Sequence, residues 1–137
     1  MVRAAGSRLS GHALAGRRVY ISGPISGRSL AVARDEFAKA ESELKAMGAR
    51  TYNPARALSM YSARTHEECM RHCLHVLTSG DIGRRESDYD AVVLLPGWQK
   101  SDGARMEAEV ARAIGLDVME LSDIERAAPL GQRYGIQ

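Results

Sequence analysis

The hydrophobic residues of this chain form two kinds of pattern, and their alternation along the sequence predicts the fold class. Segment 91–95 (AVVLL) is an unbroken apolar run between Asp90 and Pro96, which is typical of a strand covered on both faces of a parallel sheet. The short segments 18–22, 49–52 and 118–121 predict further strands, the last one beginning at Asp117. The chain therefore has four clear candidate strands, with 91–95 as the central one.

Segments with helical spacing separate these runs. Segment 29–47 predicts a helix that ends at Gly48, a residue suited to a left-handed stop. Thr65 and Glu68 form a capping box that opens a second helix to about residue 78. The apolar face of the first helix is predicted to contain Leu30, Ala33, Phe37, Ala40, Leu44 and Met47, and that of the second Met70, Cys73, Leu74 and Leu77.

The helix after the central strand is predicted to turn Val110, Ala111 and Ile114 inward, and to leave Glu109 and the following Asp117 in solvent. Three segments have weaker patterns. Segment 55–64 has no period and is predicted to be a loop over the site, and segment 80–89 is charged and turn-rich. A capping box of Ser122 and Glu125 predicts a short helix to about residue 128.

Alternating strands and helices favour an α/β fold, namely a flavodoxin/Rossmann-like three-layer sandwich with a parallel sheet of four or five strands. The predicted strand order is 2-1-3-4, with any fifth strand at the end. In such a sheet, ligands bind beyond the carboxyl ends of the strands, at the point where the strand order reverses. That crevice lies between the strands ending at Ser22 and Leu95. The loop that begins at Gly23 and the loop from Gly97 to Glu107 then face each other.

Glu107 is the candidate reactive group. It lies three residues before Val110 and four before Ala111, so it shares their inward stripe one turn into the helix. A buried carboxylate costs several kcal/mol unless it is paired, and at the mouth of a sheet it is a candidate nucleophile. The alternative is that Glu107 caps its helix or pairs with Arg105 or Arg112 on the surface.

Composition and charge exclude several classes of protein. The 137 residues, 45% of them hydrophobic, fit one domain, predicted over 18–128 with an irregular tail at 129–137. Segment 1–18 holds four arginines and no acid, which leaves 15 basic residues against 17 acidic ones and argues against binding nucleic acid. We predict that 1–17 is a disordered basic leader, with a transit peptide as the alternative.

No apolar run is long enough for a membrane span, and two cysteines without a secretory signal predict a cytoplasmic protein. The second helix invites a metal hypothesis, because His66, Cys69 and Cys73 share one of its faces. It lacks the paired signatures of metal sites, however, and Cys73 also fits the apolar face. We therefore predict no metal ion and no organic cofactor.

Two stretches carry a resemblance to a known family. VYISGPISG at 19–27 and LLPGWQKSDGARMEAEVARAIG at 94–115 resemble the DUF4406 family, small and often phage-associated proteins of the nucleoside 2-deoxyribosyltransferase-like superfamily. The resemblance extends over 18–121. Gly103, Glu107 and Ala111 match the superfamily signature G-x-x-x-E-x-x-x-A. The resemblance implies that Glu107 attacks C1′ of a 2-deoxyribosyl group, and that Tyr20 holds this carboxylate and the sugar.

The resemblance also implies a substrate-binding set. Ser101 matches a serine that contacts phosphate in deoxynucleoside 5′-monophosphate N-glycosidases, whereas the neighbouring Asp102 favours nucleosides. Trp98 is interpreted either as a platform for the base or as a loop anchor. The implied substrate-binding residues are Gly23, Pro24, Ser26, Gly27, Arg28, Gly97, Trp98, Ser101, Asp102 and Gly103.

One position departs from the family. Eight residues before Asp90, where an aspartate acts as general acid or sugar ligand, this chain has Ile82. Asp81 is our prediction for that role and Asp88 the reserve; if 78–89 is an insertion, the position falls at Cys73. The other interpretation is that neither aspartate is catalytic.

The predicted function is cleavage or transfer of the N-glycosidic bond of 2′-deoxynucleosides or their 5′-monophosphates through a glycosyl-enzyme on Glu107. The alternative is a non-catalytic nucleotide sensor or phage accessory protein. A phosphoribohydrolase is disfavoured, because the residues between Pro96 and Glu107 do not fit its motif. The expected partner is a small nucleoside or nucleotide, without nucleic acid or membrane, and the resemblance implies a homodimer or higher homo-oligomer.

Overall fold

A computed structural model of the protein describes residues 14–58, 65–81 and 86–127. The strands are β1 (Arg18–Ser22), β2 (Arg50–Tyr52), β3 (Gly80–Asp81), β4 (Glu86–Ser87), β5 (Ala91–Leu94) and β6 (Asp117–Glu120). The helices are α1 (Leu30–Ala46), α2 (Pro54–Leu58), α3 (His66–Leu77), α4 (Asp102–Ala113) and α5 (Leu121–Ala127), and a 3₁₀ turn covers Trp98–Lys100.

The main sheet is parallel and has the order β2-β1-β5-β6, which confirms the predicted fold class and the order 2-1-3-4. It has four strands in the part of the chain described. Tyr20 is in register with Tyr52 on one side and with Val92 on the other. Every residue of β5 is buried, as the unbroken apolar run predicted. The carboxyl ends of β1 and β5 therefore lie side by side at the point where the strand order reverses.

Side chains alternate across the sheet, and the two faces differ in character. Val19 and Ile21 of β1 pack with α1 and α5, in a hydrophobic cluster that includes Phe37. Tyr20 lies on the opposite face and packs with α3 and α4. Two helical layers thus enclose the sheet, and the face formed with α3 and α4 carries the candidate site.

The main helices begin and end near the predicted residues. Ser29 caps α1 by accepting a hydrogen bond from the Val32 N–H, and Gly48 follows the helix with φ +91°. The predicted capping box of Thr65 and Glu68 opens α3. None of the described helices is long and apolar enough to cross a membrane.

Two helix predictions were wrong in their boundaries. Residues 55–58 belong to α2 rather than to a loop, because the Asn53 Oδ1 accepts hydrogen bonds from the N–H groups of Ala55 and Arg56 and Pro54 suits the first helical turn. The remaining 59–64 of that predicted loop lie outside the described residues. The last helix begins at Leu121, so Ser122 lies inside α5 and is not its cap.

Two predictions for side chains in and near α4, those for Ile114 and Asp117, were wrong. Its buried positions are Ala104, Glu107, Ala108 and Ala111, whereas Val110 is partly buried and Ile114 is 40% exposed. Asp117, predicted to be in solvent, is buried and accepts a hydrogen bond from the Arg17 guanidinium at 2.7 Å. Small side chains let a helix approach a sheet closely, which explains why the alanines are the most deeply buried residues of α4. Val110 is partly buried against the cluster that contains Tyr20.

Residues 14–17, at the end of the predicted leader, belong to the described part of the chain. Leu14 packs in the cluster of α1 and α5. Residues 1–13 of the predicted leader and the predicted tail 129–137 lie outside the described residues. The turn-rich segment 80–89 contains a short antiparallel pair, β3 with β4.

Candidate functional site

The carboxylate of Glu107 lies at the centre of the site. Its side chain is buried, with 6% of the residue exposed. The Tyr20 hydroxyl donates a hydrogen bond of 2.6 Å to Oε2, and the Ser22 hydroxyl donates one of 2.6 Å to Oε1. The surface alternative for Glu107 is therefore wrong, since Arg105 pairs with Asp102 instead.

The local sequence explains this arrangement. Tyr20 and Ser22 are two residues apart in β1, so both side chains leave the sheet on the face covered by α4. Glu107 lies one turn into α4 between Ala104 and Ala108, whose small side chains are also buried. A strand and a helix that are 85 residues apart in the chain thus bring two hydroxyls and one carboxylate into contact.

Burial dominates the electrostatics of the group. It raises the pKa of Glu107 above its ordinary value, and the hydrogen bonds from Ser22 and Tyr20 offset part of that increase. Burial and the nearby charge of Glu107 also raise the pKa of the Tyr20 hydroxyl, which therefore remains a hydrogen-bond donor. No ion pair to Glu107 is formed by the residues that the structure describes.

A cleft of about 360 Å³ opens beside Glu107. One wall is the loop after β1, another is α3, and the third is the segment that leads into α4. Of the predicted substrate-binding residues, Gly23, Ser26, Gly27, Ser101, Asp102 and Gly103 line it. The cleft lies at the carboxyl ends of β1 and β5, as the strand order predicted.

The other predicted residues of the first loop face elsewhere. Arg28 forms an ion pair of 2.8 Å with Glu36 of α1, and its guanidinium also contacts the Pro24 carbonyl at 3.5 Å. Pro24 lies against Gly97, where an added Cβ would approach Pro24 Cγ to 3.4 Å. Pro24 and Gly97 therefore form a contact between the two loops, with Gly97 in the left-handed region at φ +87°.

The segment before α4 has both structural and lining residues. The Ser101 hydroxyl accepts a hydrogen bond from the Ala104 N–H, so this predicted phosphate ligand is also the helix cap. Trp98 packs against the cluster that contains Tyr20, and it does not line the cleft. Its buried indole N–H has no hydrogen-bond partner in the described part of the chain. The contacts of Trp98 favour the interpretation as a loop anchor.

Of the two aspartates considered as the second acid, Asp88 is not among the described residues that line the cleft. Asp81 belongs to β3, which pairs with β4. Asp88 is exposed and accepts a hydrogen bond of 2.8 Å from the Ser79 hydroxyl. The lining residues instead include Cys73, at the other position considered for the acid, and burial raises the pKa of its thiol to about 12.

Sequence reasoning missed several residues of the site. Ser22 was identified only as a strand end, although a hydroxyl two residues after Tyr20 was a usable signal. His66 lines the cleft, and its Nδ1 lies 3.2 Å from the Ser26 hydroxyl. The other lining residues not predicted as site residues are Ile25, Cys69, Met70, Cys73, Lys100 and Ala104.

The described residues include no group of three or more His, Cys, Asp or Glu side chains arranged to hold a metal ion. His66, Cys69 and Cys73 line one wall of the cleft along α3. The described side chains available for ligand chemistry in the cleft are the carboxylates of Glu107 and Asp102, two serine hydroxyls, two thiols, an imidazole and the Lys100 ammonium group.

Comparison with known proteins gives one match. Residues 17–120, well over half of the chain, match the family model described as Domain of unknown function (DUF4406). The matched segment contains β1, β6 and all the residues that line the cleft. A search of curated proteins found no match.

Proposed function

The chain belongs to the DUF4406 family, and we propose that it cleaves or transfers the N-glycosidic bond of 2′-deoxynucleosides or their 5′-monophosphates. The Glu107 carboxylate, which is buried beside a cleft and held by two hydroxyls with no cation among its described neighbours, carries this proposal. A carboxylate with a perturbed pKa in a cleft is typical of a functional group. The resemblance of both loops to nucleoside 2-deoxyribosyltransferase-like proteins supports the same assignment.

The chemistry follows from the position of that carboxylate. One oxygen of Glu107 attacks C1′ as the bond between C1′ and the base nitrogen breaks, and the bonding electrons leave with the base. Tyr20 and Ser22 orient the carboxylate and favour its ionised form. Attack of water on the glycosyl-enzyme then gives a hydrolase, whereas attack of a second base gives a transferase.

A 5′-phosphate would lie near the start of α4. Lys100 supplies a positive charge there, and Ser101 and Gly103 line the same part of the cleft. Ser101→Asp tests this subsite, because aspartate also caps helices but would repel a phosphate. We expect the preference for monophosphates over nucleosides to fall at least tenfold, and an unchanged preference would contradict a phosphate at this position.

The test of the function is release of free base, followed by chromatography, from each 2′-deoxynucleoside and its 5′-monophosphate. The matching 2′-deoxy-2′-fluoro substrate should slow hydrolysis of the intermediate, because fluorine disfavours positive charge at C1′. Mass spectrometry should then find the sugar attached to the peptide that contains Glu107. Two results together would contradict Glu107 as the nucleophile. These are the absence of such an adduct and release of base by a variant that lacks the Glu107 carboxylate.

A second candidate is a nucleotide sensor that binds without turnover. It is favoured by one observation: Asp88, the reserve candidate for the second acid, accepts a hydrogen bond from the Ser79 hydroxyl and is not among the described residues that line the cleft. Nucleotide binding measured by calorimetry, with no base released over many hours, would favour the sensor. Homo-oligomeric assembly, a cytoplasmic location and phage association also stay predictions.

A further inference from the structure

We propose that His66 donates the proton that the leaving base needs; this inference rests on the proposed function. A base leaves more easily as a protonated heterocycle, so a nucleophile alone does not complete the reaction. Histidine is the side chain whose charge ordinarily changes between pH 5 and 8. His66 is the histidine that lines the cleft among the described residues.

The position of His66 suits this role. It is the first residue of α3 and lines the cleft next to Gly103, where an added Cβ would be 4.0 Å from His66 Cε1. Cys73, whose pKa responds to the charge of Glu107, is seven residues further along the same wall, about 10 Å by helix geometry. A nucleoside with C1′ beside Glu107 can therefore extend its base along α3 toward His66.

A hydrogen bond orients the imidazole. His66 Nδ1 is 3.2 Å from the Ser26 hydroxyl, so the first loop and α3 meet at this point of the cleft. Nε2 has no partner among the described residues and is the nitrogen that can reach a ligand. In many enzymes, a third group forms a hydrogen bond with the second nitrogen of a catalytic histidine and so fixes the orientation of the imidazole.

The other titratable groups that face the cleft are less suitable. The Cys73 thiol, with its pKa raised by burial to about 12, gives up its proton too rarely. Asp102 is exposed and forms an ion pair with Arg105 outside the cleft. Lys100 also lines the cleft and is assigned to the 5′-phosphate near the start of α4.

The proposed step balances as follows. A Glu107 oxygen bonds to C1′, the bond from C1′ to the base nitrogen breaks with its electrons on the base, and the proton moves from His66 Nε2 to the base. Neutral His66 then accepts a proton from the water whose oxygen attacks C1′. The bond between Glu107 and the sugar breaks, and both side chains return to their starting states.

The experiment compares two purine substrates with His66→Gln. The base of 7-methyl-2′-deoxyguanosine is already cationic and leaves without a proton, whereas that of 2′-deoxyguanosine needs one. We expect kcat for 2′-deoxyguanosine to fall about 100-fold and kcat for the methylated substrate to change less than about threefold.

The matched control is His75→Gln, an exposed histidine of the same helix, which should leave both rates unchanged. Ser26→Ala should reduce the rate on 2′-deoxyguanosine about fivefold to tenfold and spare the methylated substrate, because it removes only the orienting hydrogen bond. Each variant is checked for an unchanged thermal transition.

The outcomes separate the two proposals. Equal losses on both substrates would show that His66 binds or shapes the cleft and would overturn its role as an acid while leaving the function intact. Cleavage of the methylated substrate alone by the wild type would also overturn it, because no proton is then supplied. Release of base by the wild type from neither substrate, and from none of the other 2′-deoxynucleosides and 5′-monophosphates, would overturn the function and this inference together.

Discussion

Glu41 and Glu107 are both buried carboxylates, and their surroundings differ sharply. Glu41 of α1 is 4% exposed and lies among Thr51, Asn53, Arg56 and Lys45. Glu107 is 6% exposed and contacts two neutral hydroxyls. One site compensates the buried charge with cations, and the other leaves it available to a ligand.

The pKa values of the two groups move in opposite directions. Burial would raise the pKa of Glu41, but the hydrogen bonds from Asn53 and Thr51 and the charges of Arg56 and Lys45 outweigh burial and lower it. At Glu107 burial prevails over the hydrogen bonds from Ser22 and Tyr20, so the pKa rises. Burial alone therefore does not identify a functional carboxylate; the absence of a compensating cation among its described neighbours is the informative feature.

Loss of the nucleophile should have the largest effect. Glu107→Gln keeps the shape of the side chain but removes its charge, so we expect kcat for base release to fall by more than about 10³-fold. Glu109→Gln, on the exposed side of the same helix, is the matched control and should keep the wild-type rate. Retention of a tenth of the rate by Glu107→Gln would exclude its role as nucleophile.

The hydroxyls that hold Glu107 should have the next largest effect. Ser22→Ala and Tyr20→Phe each remove a hydrogen bond that lowers the pKa of Glu107, so the carboxylate is ionised only at higher pH. We expect kcat/KM at pH 6 to fall about tenfold or more in each variant and to recover partly as the pH rises. Profiles of kcat/KM against pH are the measurement, and losses that do not depend on pH would contradict this account.

The sequence predicted the sheet and the main helices well, because the apolar run 91–95, the glycine stop at Gly48 and the capping box at Thr65 act locally. It also identified Glu107 as an inward residue from helical spacing. It placed Ile114 inward although this residue is 40% exposed, because hydrophobicity does not distinguish a large side chain from the alanine that close packing against a strand requires.

The remaining parts of the site depend on contacts between distant segments. The hydrogen bond between Ser22 and Glu107 joins residues 85 positions apart, and the contact between Ser26 and His66 joins residues 40 apart. The spacing of hydrophobic residues within one helix or strand does not predict contacts between such distant residues. The contact between Tyr20 and Glu107 was expected only through resemblance to a family, and Lys100 was missed because a charged residue in a loop has no distinguishing pattern.

Stability should respond oppositely to substitution of the two carboxylates. The lowered pKa of Glu41 stabilises the fold at pH values above its ordinary pKa of 4.5, and this contribution is lost as the pH falls through the lowered value. The raised pKa of Glu107 imposes a relative penalty that is absent below its ordinary 4.5 and develops as the pH rises toward the raised value.

At pH 7.5 we therefore expect Glu41→Gln to lower the free energy of unfolding by about 2 kcal/mol and Glu107→Gln to raise it by about 1 kcal/mol. Both differences should begin to shrink as the pH is lowered toward 4. Urea unfolding at a series of pH values is the measurement, with base release by Glu41→Gln expected to stay at the wild-type rate. Destabilisation by both substitutions would contradict the contrast between the two sites.

The smallest effect is expected where α4 approaches α3. A Cβ added at Gly103 would lie 3.0 Å from the Met70 Sδ, in a cleft wall formed by both residues. A methionine side chain is flexible and can move away, so Gly103→Ala should change the free energy of unfolding by less than about 1 kcal/mol. The displaced side chain would enter the cleft and raise KM a fewfold without lowering kcat.

Met70→Ala should restore KM when it is combined with Gly103→Ala, because it removes the atom that the new methyl group displaces. A double-mutant cycle of KM measures this coupling. Additive effects of the two substitutions would mean that Gly103 acts through the backbone at the start of α4 and not through its contact with Met70.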